Sequence, residues 1–383
     1  MAAPDPVALT RDLVRCPSVT PADAGCFAIL EKVLVAMGFS CRRLRFGEGE
    51  KAVENLYARL GGKDPLLAFA GHVDVVPAGD PDAWSVDPFA AVIRDGRLFG
   101  RGAADMKSGI AAFLAAVGRF LERHGDPPGS IALLITADEE GEAVNGTRRL
   151  LECLVAEGER FAACLVGEPT SVEEVGDLAK IGRRGSLTCR LTVRGRSGHV
   201  AYPQRADNAA HRLVAMLHAL IADPLDPGSA HFEPSSLQIT TIDIGNPAAN
   251  VIPGRAEAVF NIRFNDRHDR RGLERLVRDR LDACGGRYEL ECRCSGEAFL
   301  TPPGPLSEIL GAAVAEVRGR PPRLDTSGGT SDARFVRRYC PVIELGIVGR
   351  TMHQADEAVE VADIETLTRI YLAFLERFFQ RWA

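Results

Sequence analysis

No uncharged apolar stretch in this chain approaches the roughly 20 residues needed to span a bilayer. The opening segment MAAPDPVALTRDLVRCPSV also lacks a basic region followed by a long apolar run. These absences predict a soluble, cytoplasmic protein with no membrane partner. The ten cysteines, scattered from Cys16 to Cys340, include no C-x-x-C pair, which argues against a disulfide framework and against a structural zinc site. Cys292 and Cys294 in ECRC are two apart and share one strand face, where small residues packed in a sheet are the plain reading. Basic excess is missing too: 46 Lys and Arg against 52 Asp and Glu leave a net charge of −6. There is no electrostatic footprint for nucleic acid, and a small cationic or zwitterionic substrate is compatible.

What is present is ordinary globular material, 46% hydrophobic and 26% charged over 383 residues, enough for two domains. Up to about residue 180, apolar strands (PLLAFAGHVDVV, SIALLITA, FAACLVG) alternate with helical stretches, as in an α/β unit. ADMKSGIAAFLAAVGRFLERHG has helical periodicity, and Gly125 followed by Pro127 and Pro128 stops it. The middle changes character. SLTCRLTVRG, SSLQITTIDIG, AEAVFNIRF and RYELECRC alternate like half-exposed strands, and DNAAHRLVAMLHALIAD and DRRGLERLVRDRLDAC read as amphipathic helices. The order β-α-β-β-α-β predicts a ferredoxin-like α+β module. From PPGPLSEILGAAVAEV onward the α/β pattern returns, with CPVIELGIV as the last obvious strand. The expected organisation is one discontinuous α/β domain, residues 1–183 and 296–383, with an α+β module inserted at 184–295.

Chemistry-bearing side chains gather where strands end. His72 and Asp74 in GHVD are two apart, so on a strand they project to one face, where the acid can fix an imidazole tautomer. Asp105 follows a glycine- and alanine-rich turn, a place for either an N-cap or a ligand. Glu139 and Glu140 sit at the mouth of IALLITA, and two carboxylates so close raise a pKa unless a cation compensates. Glu168 ends CLVGEPT, and His353 lies beyond CPVIELGIV. Open α/β sheets bind ligands at the carboxyl edge of their strands. Two histidines and three carboxylates there suit a pair of borderline divalent ions sharing one carboxylate, with zinc expected and cobalt or manganese as substitutes.

The series GHVDVVP, GRGAADMKSG, ITADEEG, LVGEPT, GRSGHVAYP and DTSGGTSDARF closely resembles the M20-type di-zinc amidohydrolases, a family that includes acetylornithine deacetylase and carboxypeptidase G2-like enzymes. Its desuccinylase branch matches best, from about residue 5 to 380 and through the inserted module. The resemblance implies that His72 and Glu168 hold one zinc, Glu140 and His353 the other, and that Asp105 bridges them. Asp74 would orient His72. Glu139 would be the general base, taking a proton from a water acidified by the two ions and returning it to the leaving amine. His199, in the module, would stabilise the developing oxyanion, reaching the site from the other subunit of a homodimer. The module would serve as lid and dimerisation domain.

The same resemblance implies hydrolysis of N-succinyl-LL-2,6-diaminopimelate to succinate and LL-2,6-diaminopimelate. A succinyl amide carries a free carboxylate, which a guanidinium can bind through two parallel hydrogen bonds. Arg184 and Arg263 are the candidates, whereas Arg183 reads better as exposed charge on the module. Tyr202, Asn250, Gly329 and Thr330 match positions that line the substrate pocket in desuccinylases. One departure is Gly349, where many of those enzymes carry asparagine. The alternatives are another N-acyl-amino-acid deacylase or peptidase of the family, or a non-catalytic zinc-binding scaffold; a scaffold has no need of Glu139.

Overall fold

The computed structural model describes residues 3–382. The chain divides into two compact units. One takes the sequence up to Ile181, Thr301–Asp325 and everything from Ser331; the other takes Gly182–Leu300 and Thr326–Thr330. The chain crosses between them at Ile181/Gly182, Leu300/Thr301, Asp325/Thr326 and Thr330/Ser331, and in the second unit Gly182–Arg183 pairs antiparallel with Phe299–Leu300.

The first unit is built on an eight-stranded mixed sheet in the order Ser40–Phe46, Val53–Leu60, Ser130–Thr136, Leu66–His72, Ala163–Val166, Val342–Glu344, Leu178–Lys180, Arg323–Asp325. The four strands from Ser130–Thr136 to Val342–Glu344 run parallel, with His72 opposite Thr136, Ala70 opposite Val166, and Glu344 opposite Val166. Their carboxyl ends therefore lie along one edge. Each is buried at every position, which explains why they read as unbroken apolar runs rather than alternating ones.

Helices cover this sheet. Ser108–His124, rich in alanine and almost wholly buried until its last turn, ends at Gly125, whose φ of 72° is a left-handed stop. The 22-residue helix Val361–Trp382 packs on it, and Tyr371 stands edge-on to the stacked rings of Phe69 and Phe113 while its hydroxyl donates to Leu345 O at 2.5 Å. That helix and the two strands at the sheet's edge, Ser40–Phe46 and Val53–Leu60, are elements the apolar pattern did not single out. SCRRLRF is an edge strand whose arginines pair outward, Arg42 with Glu157 and Arg43 with Glu31 and Glu54.

In the second unit the strands Gly185–Arg194, Ser236–Asp243, Arg255–Phe264 and Arg287–Gly296 form an antiparallel sheet in the order 2-3-1-4. Helices Ala209–Ile221 and Arg270–Cys284 bury one face each against it, around Leu191, Phe260, Leu213 and Val277. This is the ferredoxin-like arrangement expected from β-α-β-β-α-β order. Cys292 and Cys294 share the core-facing side of the last strand.

Candidate metal centre and substrate residues

The parallel strands deliver their acids and histidines to one place. His72, 1% exposed, ends Leu66–His72, and its Nδ1 lies 2.9 Å from the backbone carbonyl of Asp74. That contact turns Nε2 towards Asp105 Oδ1, 3.2 Å away, and Glu168 Oε1 at 3.8 Å. The Asp74 carboxylate stands 3.6 Å from Nδ1 and accepts the amides of Glu139 and Glu140 at 3.1 Å. Asp74 thus holds His72 mainly through its backbone and uses its side chain to tie the neighbouring strand's loop to the histidine strand.

That loop is itself closed by an acid the sequence reading passed over. Asp138, buried, accepts the amides of Ala143, Val144 and Asn145 at 3.0 to 3.1 Å. A carboxylate saturated by amides fixes the turn, leaving Glu139 and Glu140 to face the strand ends.

Asp105 does not cap a helix. It lies in the wide turn Ala103–Lys107, entered through Gly102 at φ 83°, and has the extended angles φ −122° and ψ 96° before Ser108–His124 begins. Its two oxygens diverge: Oδ1 meets His72 Nε2, and Oδ2 lies 3.2 Å from His353 Nε2. His353 also touches Glu140 Oε1 at 2.8 Å. Glu168 is buried beside the strand Ala163–Val166, where a Cβ on Gly346 would stand only 2.2 Å from the Glu168 carbonyl oxygen. Only glycine allows the two backbones to pass so closely. Gly349 has the same character, since a Cβ there would lie 2.9 Å from Pro169 O.

The charges in this cluster act strongly on one another. Burial drives His72 towards neutrality, yet Asp105, Glu168 and Asp74 hold it well above its ordinary value. Contacts with Asp105 and Glu140 push His353 up to about 10. Against the pull of burial, the same two imidazoles hold Asp105 below the carboxylate range. Glu139 is raised well above it by burial and by the charges of Glu168 and Asp332, and burial pushes Asp74 up to about 6. Carboxylates crowded in this way are relieved by a cation, whether a proton or a metal ion. Donor atoms of His72, Asp105 and Glu140, and of His72, Glu139 and Glu168, lie within 4.8 Å of one another. Imidazole nitrogens with carboxylates at this spacing fit a divalent ion of the zinc kind.

In the second unit the candidate substrate residues form two groups. His199 is exposed on the short strand Gly198–His199, opposite Val251, and its Nδ1 accepts the amide of Ala201 at 3.1 Å. Tyr202 lies beside it, ring centroids 5.8 Å apart, and Asn250 O accepts the Val200 amide. The other group contains the arginines. Arg184 Nε is buried without a hydrogen-bond partner, and burial together with the Arg184 charge lowers the pKa of half-buried Arg263. Arg183 is buried rather than exposed, and its Nη1 donates to Gly329 O at 3.1 Å. It anchors the Thr326–Thr330 segment that carries Gly329 and Thr330.

Known proteins are similar to this chain in sequence or in fold. Succinyl-diaminopimelate desuccinylases from Rhodospirillum centenum and Rhodospirillum rubrum are 61% and 58% identical to the chain, covering 98% of it and 98% and 99% of their own lengths. Among solved structures, an M20 family metallo-carboxypeptidase from Sulfolobus solfataricus superposes with a TM-score of 0.78 at 15% identity, over 98% of this chain and 100% of its own. A dinuclear metal-binding M20 peptidase from Bacillus subtilis does so with a TM-score of 0.69 at 16% identity, over 97% of both chains. Peptidase family M20/M25/M40 matches residues 68–377, from the histidine strand into the last helix, and the chain belongs to that family.

Proposed function

We propose that the protein hydrolyses N-succinyl-LL-2,6-diaminopimelate to succinate and LL-2,6-diaminopimelate, as a cytoplasmic enzyme of diaminopimelate and lysine biosynthesis. The observation that carries this reading is the division of the two Asp105 oxygens between His72 and His353, with Glu168 and Glu140 beside them. The full-length desuccinylase relatives supply the substrate.

His72 and Glu168 would hold one zinc ion, Glu140 and His353 a second, and Asp105 both; cobalt would substitute. Two such ions supply Lewis acidity for the amide carbonyl and acidify a water. Glu139, whose carboxylate lies beside that of Glu168 and the imidazole of His72, would take the proton from the attacking water and hand it to the departing amine. Asp74 keeps His72 and the Glu139 loop in register. His199 accepts at Nδ1, so its Nε2 carries the hydrogen and can donate to the developing oxyanion.

Arg184 and Arg263 would clamp the succinyl carboxylate. Two guanidiniums, neither in an ion pair among the described residues, are an anion site. Tyr202, Asn250, Gly329 and Thr330 would line the substrate pocket. The insertion, assigned to residues 184–295 between catalytic segments 1–183 and 296–383, would act as lid and pair two subunits. Its edge strand Ser236–Asp243 carries exposed Ile242. Steady-state hydrolysis of the succinyl substrate beside N-acetylornithine and a dipeptide tests the reading; a preference for an uncharged acyl group would contradict it.

A further inference from the structure

Behind the metal centre lies a buried ion pair for which the proposed chemistry has no direct use. Glu357 is 0% exposed and both its oxygens are engaged: Oε2 meets Arg101 Nη1 at 2.6 Å, and Oε1 accepts the amides of Ala104 at 2.8 Å and Asp105 at 3.1 Å. Arg101, 2% exposed and stacked over the Trp84 ring at 5.2 Å, spreads its other hydrogen bonds over three carbonyls, Gln354 O at 3.2 Å, Pro77 O at 3.4 Å and His353 O at 3.5 Å. Two residues thus join the Asp105 turn, the segment after Asp74 and the His353 loop, which come from opposite ends of the sequence.

The His353 loop needs such support. His353 and Asp356 both adopt left-handed backbone, with φ of 63° and 55°, a region L-residues other than glycine seldom occupy. Asp356 is fixed by Ser85, whose amide and hydroxyl donate to its carboxylate at 2.8 and 3.0 Å. At His353 itself the carbonyl faces Arg101. On the other side of Asp105, His72 is fixed by the Asp74 carbonyl, and the Glu168 backbone passes close to Gly346; among the described residues Arg101 makes no hydrogen bond to either.

We propose that Arg101 and Glu357 are positioning residues that fix His353 against Asp105 and Glu140, and so govern the metal position at that side of the centre. Burial of an ion pair is a poor route to stability, because desolvation offsets the attraction; its use here is geometric. The inference rests on the two-ion reading above. Residues that orient metal ligands typically change affinity 10- to 100-fold when altered.

The test is calorimetric titration of zinc into metal-stripped wild-type protein and Arg101→Lys, with circular dichroism to verify folding. Lysine keeps the charge beside Glu357, but one ammonium cannot also span the three carbonyls. The expected result is two binding events in wild type, and in the variant one unchanged event with the other weakened at least about tenfold. Glu357→Gln, which keeps an oxygen for the two amides, serves if Arg101→Lys does not fold. Two unchanged events, or two weakened by the same factor, would overturn the positioning role. Wild-type protein that binds fewer than two ions would instead overturn the two-ion reading, and the inference with it.

Discussion

Glu139 is the residue on which catalysis and metal binding can be told apart. In Glu139→Gln the side chain keeps its shape, and the backbone amide that Asp74 accepts is untouched, so the loop closed by Asp138 remains in place. What disappears is a carboxyl group beside Glu168, Asp332 and Glu140, and with it the ability to take up and release a proton. Loss of a general base lowers turnover by about 10²- to 10⁴-fold, roughly 3 to 5 kcal/mol at 1.36 kcal/mol per decade. The expected variant therefore retains the wild-type metal content by elemental analysis, shows a KM for N-succinyl-LL-2,6-diaminopimelate within a few-fold, and has kcat reduced by two to four orders of magnitude. The alternative is visible in the geometry, since a Glu139 oxygen groups with His72 and Glu168. If the variant is isolated with one ion missing, Glu139 is a ligand; if kcat stays within tenfold of wild type with metal intact, it is neither ligand nor base.

Arg184→Ala is expected to raise KM for the succinyl substrate about 10- to 100-fold, the scale of one charged hydrogen-bond pair, and to leave N-acetylornithine turnover nearly unchanged; equal effects on both would remove Arg184 from carboxylate recognition. His199→Ala should lose about 10²- to 10³-fold in kcat. If His199 serves the neighbouring subunit, mixing it with Glu139→Gln under exchange conditions should restore about one quarter of wild-type activity, the statistical share of intact sites; no recovery in demonstrated mixed dimers places His199 in its own subunit. In the inserted unit, Asp226 accepts from Gly228, Ser235 and Asn265 and meets His268 at 3.0 Å. These hydrogen bonds outweigh burial and lower its pKa from 3.8 to about 2, worth about 2 kcal/mol of stability. Because the folded value is depressed, that contribution is complete above 3.8 and vanishes as pH falls towards 2. Asp226→Asn should lower urea stability at neutral pH, with the gap closing over that acid window; a gap independent of pH would contradict the assignment.

Much of the centre was legible because a strand buried on both faces has no reason to end in acids. His72, Glu139, Glu140 and Glu168 stand out against LLAFAG, IALLITA and ACLVG, and parallel register brings those ends together. Asp105 was visible only as a carboxylate after a glycine-rich turn, and its two-sided contact depends on backbone angles no spacing reveals. Arg101 and Glu357 look like surface charge in GRGAAD and QADE; their burial arises where two distant segments meet. Arg183 misled for the same reason, since its partner Gly329 lies 146 residues away. Asp138 was hidden by its neighbours, because in DEE nothing separates an acid that folds a loop from two that face a site. The edge strand SCRRLRF carries too much charge to be read as part of a core.

The most direct test of the central claim is hydrolysis of N-succinyl-LL-2,6-diaminopimelate by metal-stripped protein as zinc is restored stepwise, with N-acetylornithine alongside. The account requires no turnover without metal, activity rising as zinc fills the His72, Asp105 and His353 cluster, and clear preference for the succinyl substrate. Full activity in metal-free protein, or zinc binding with turnover of neither substrate, would contradict it.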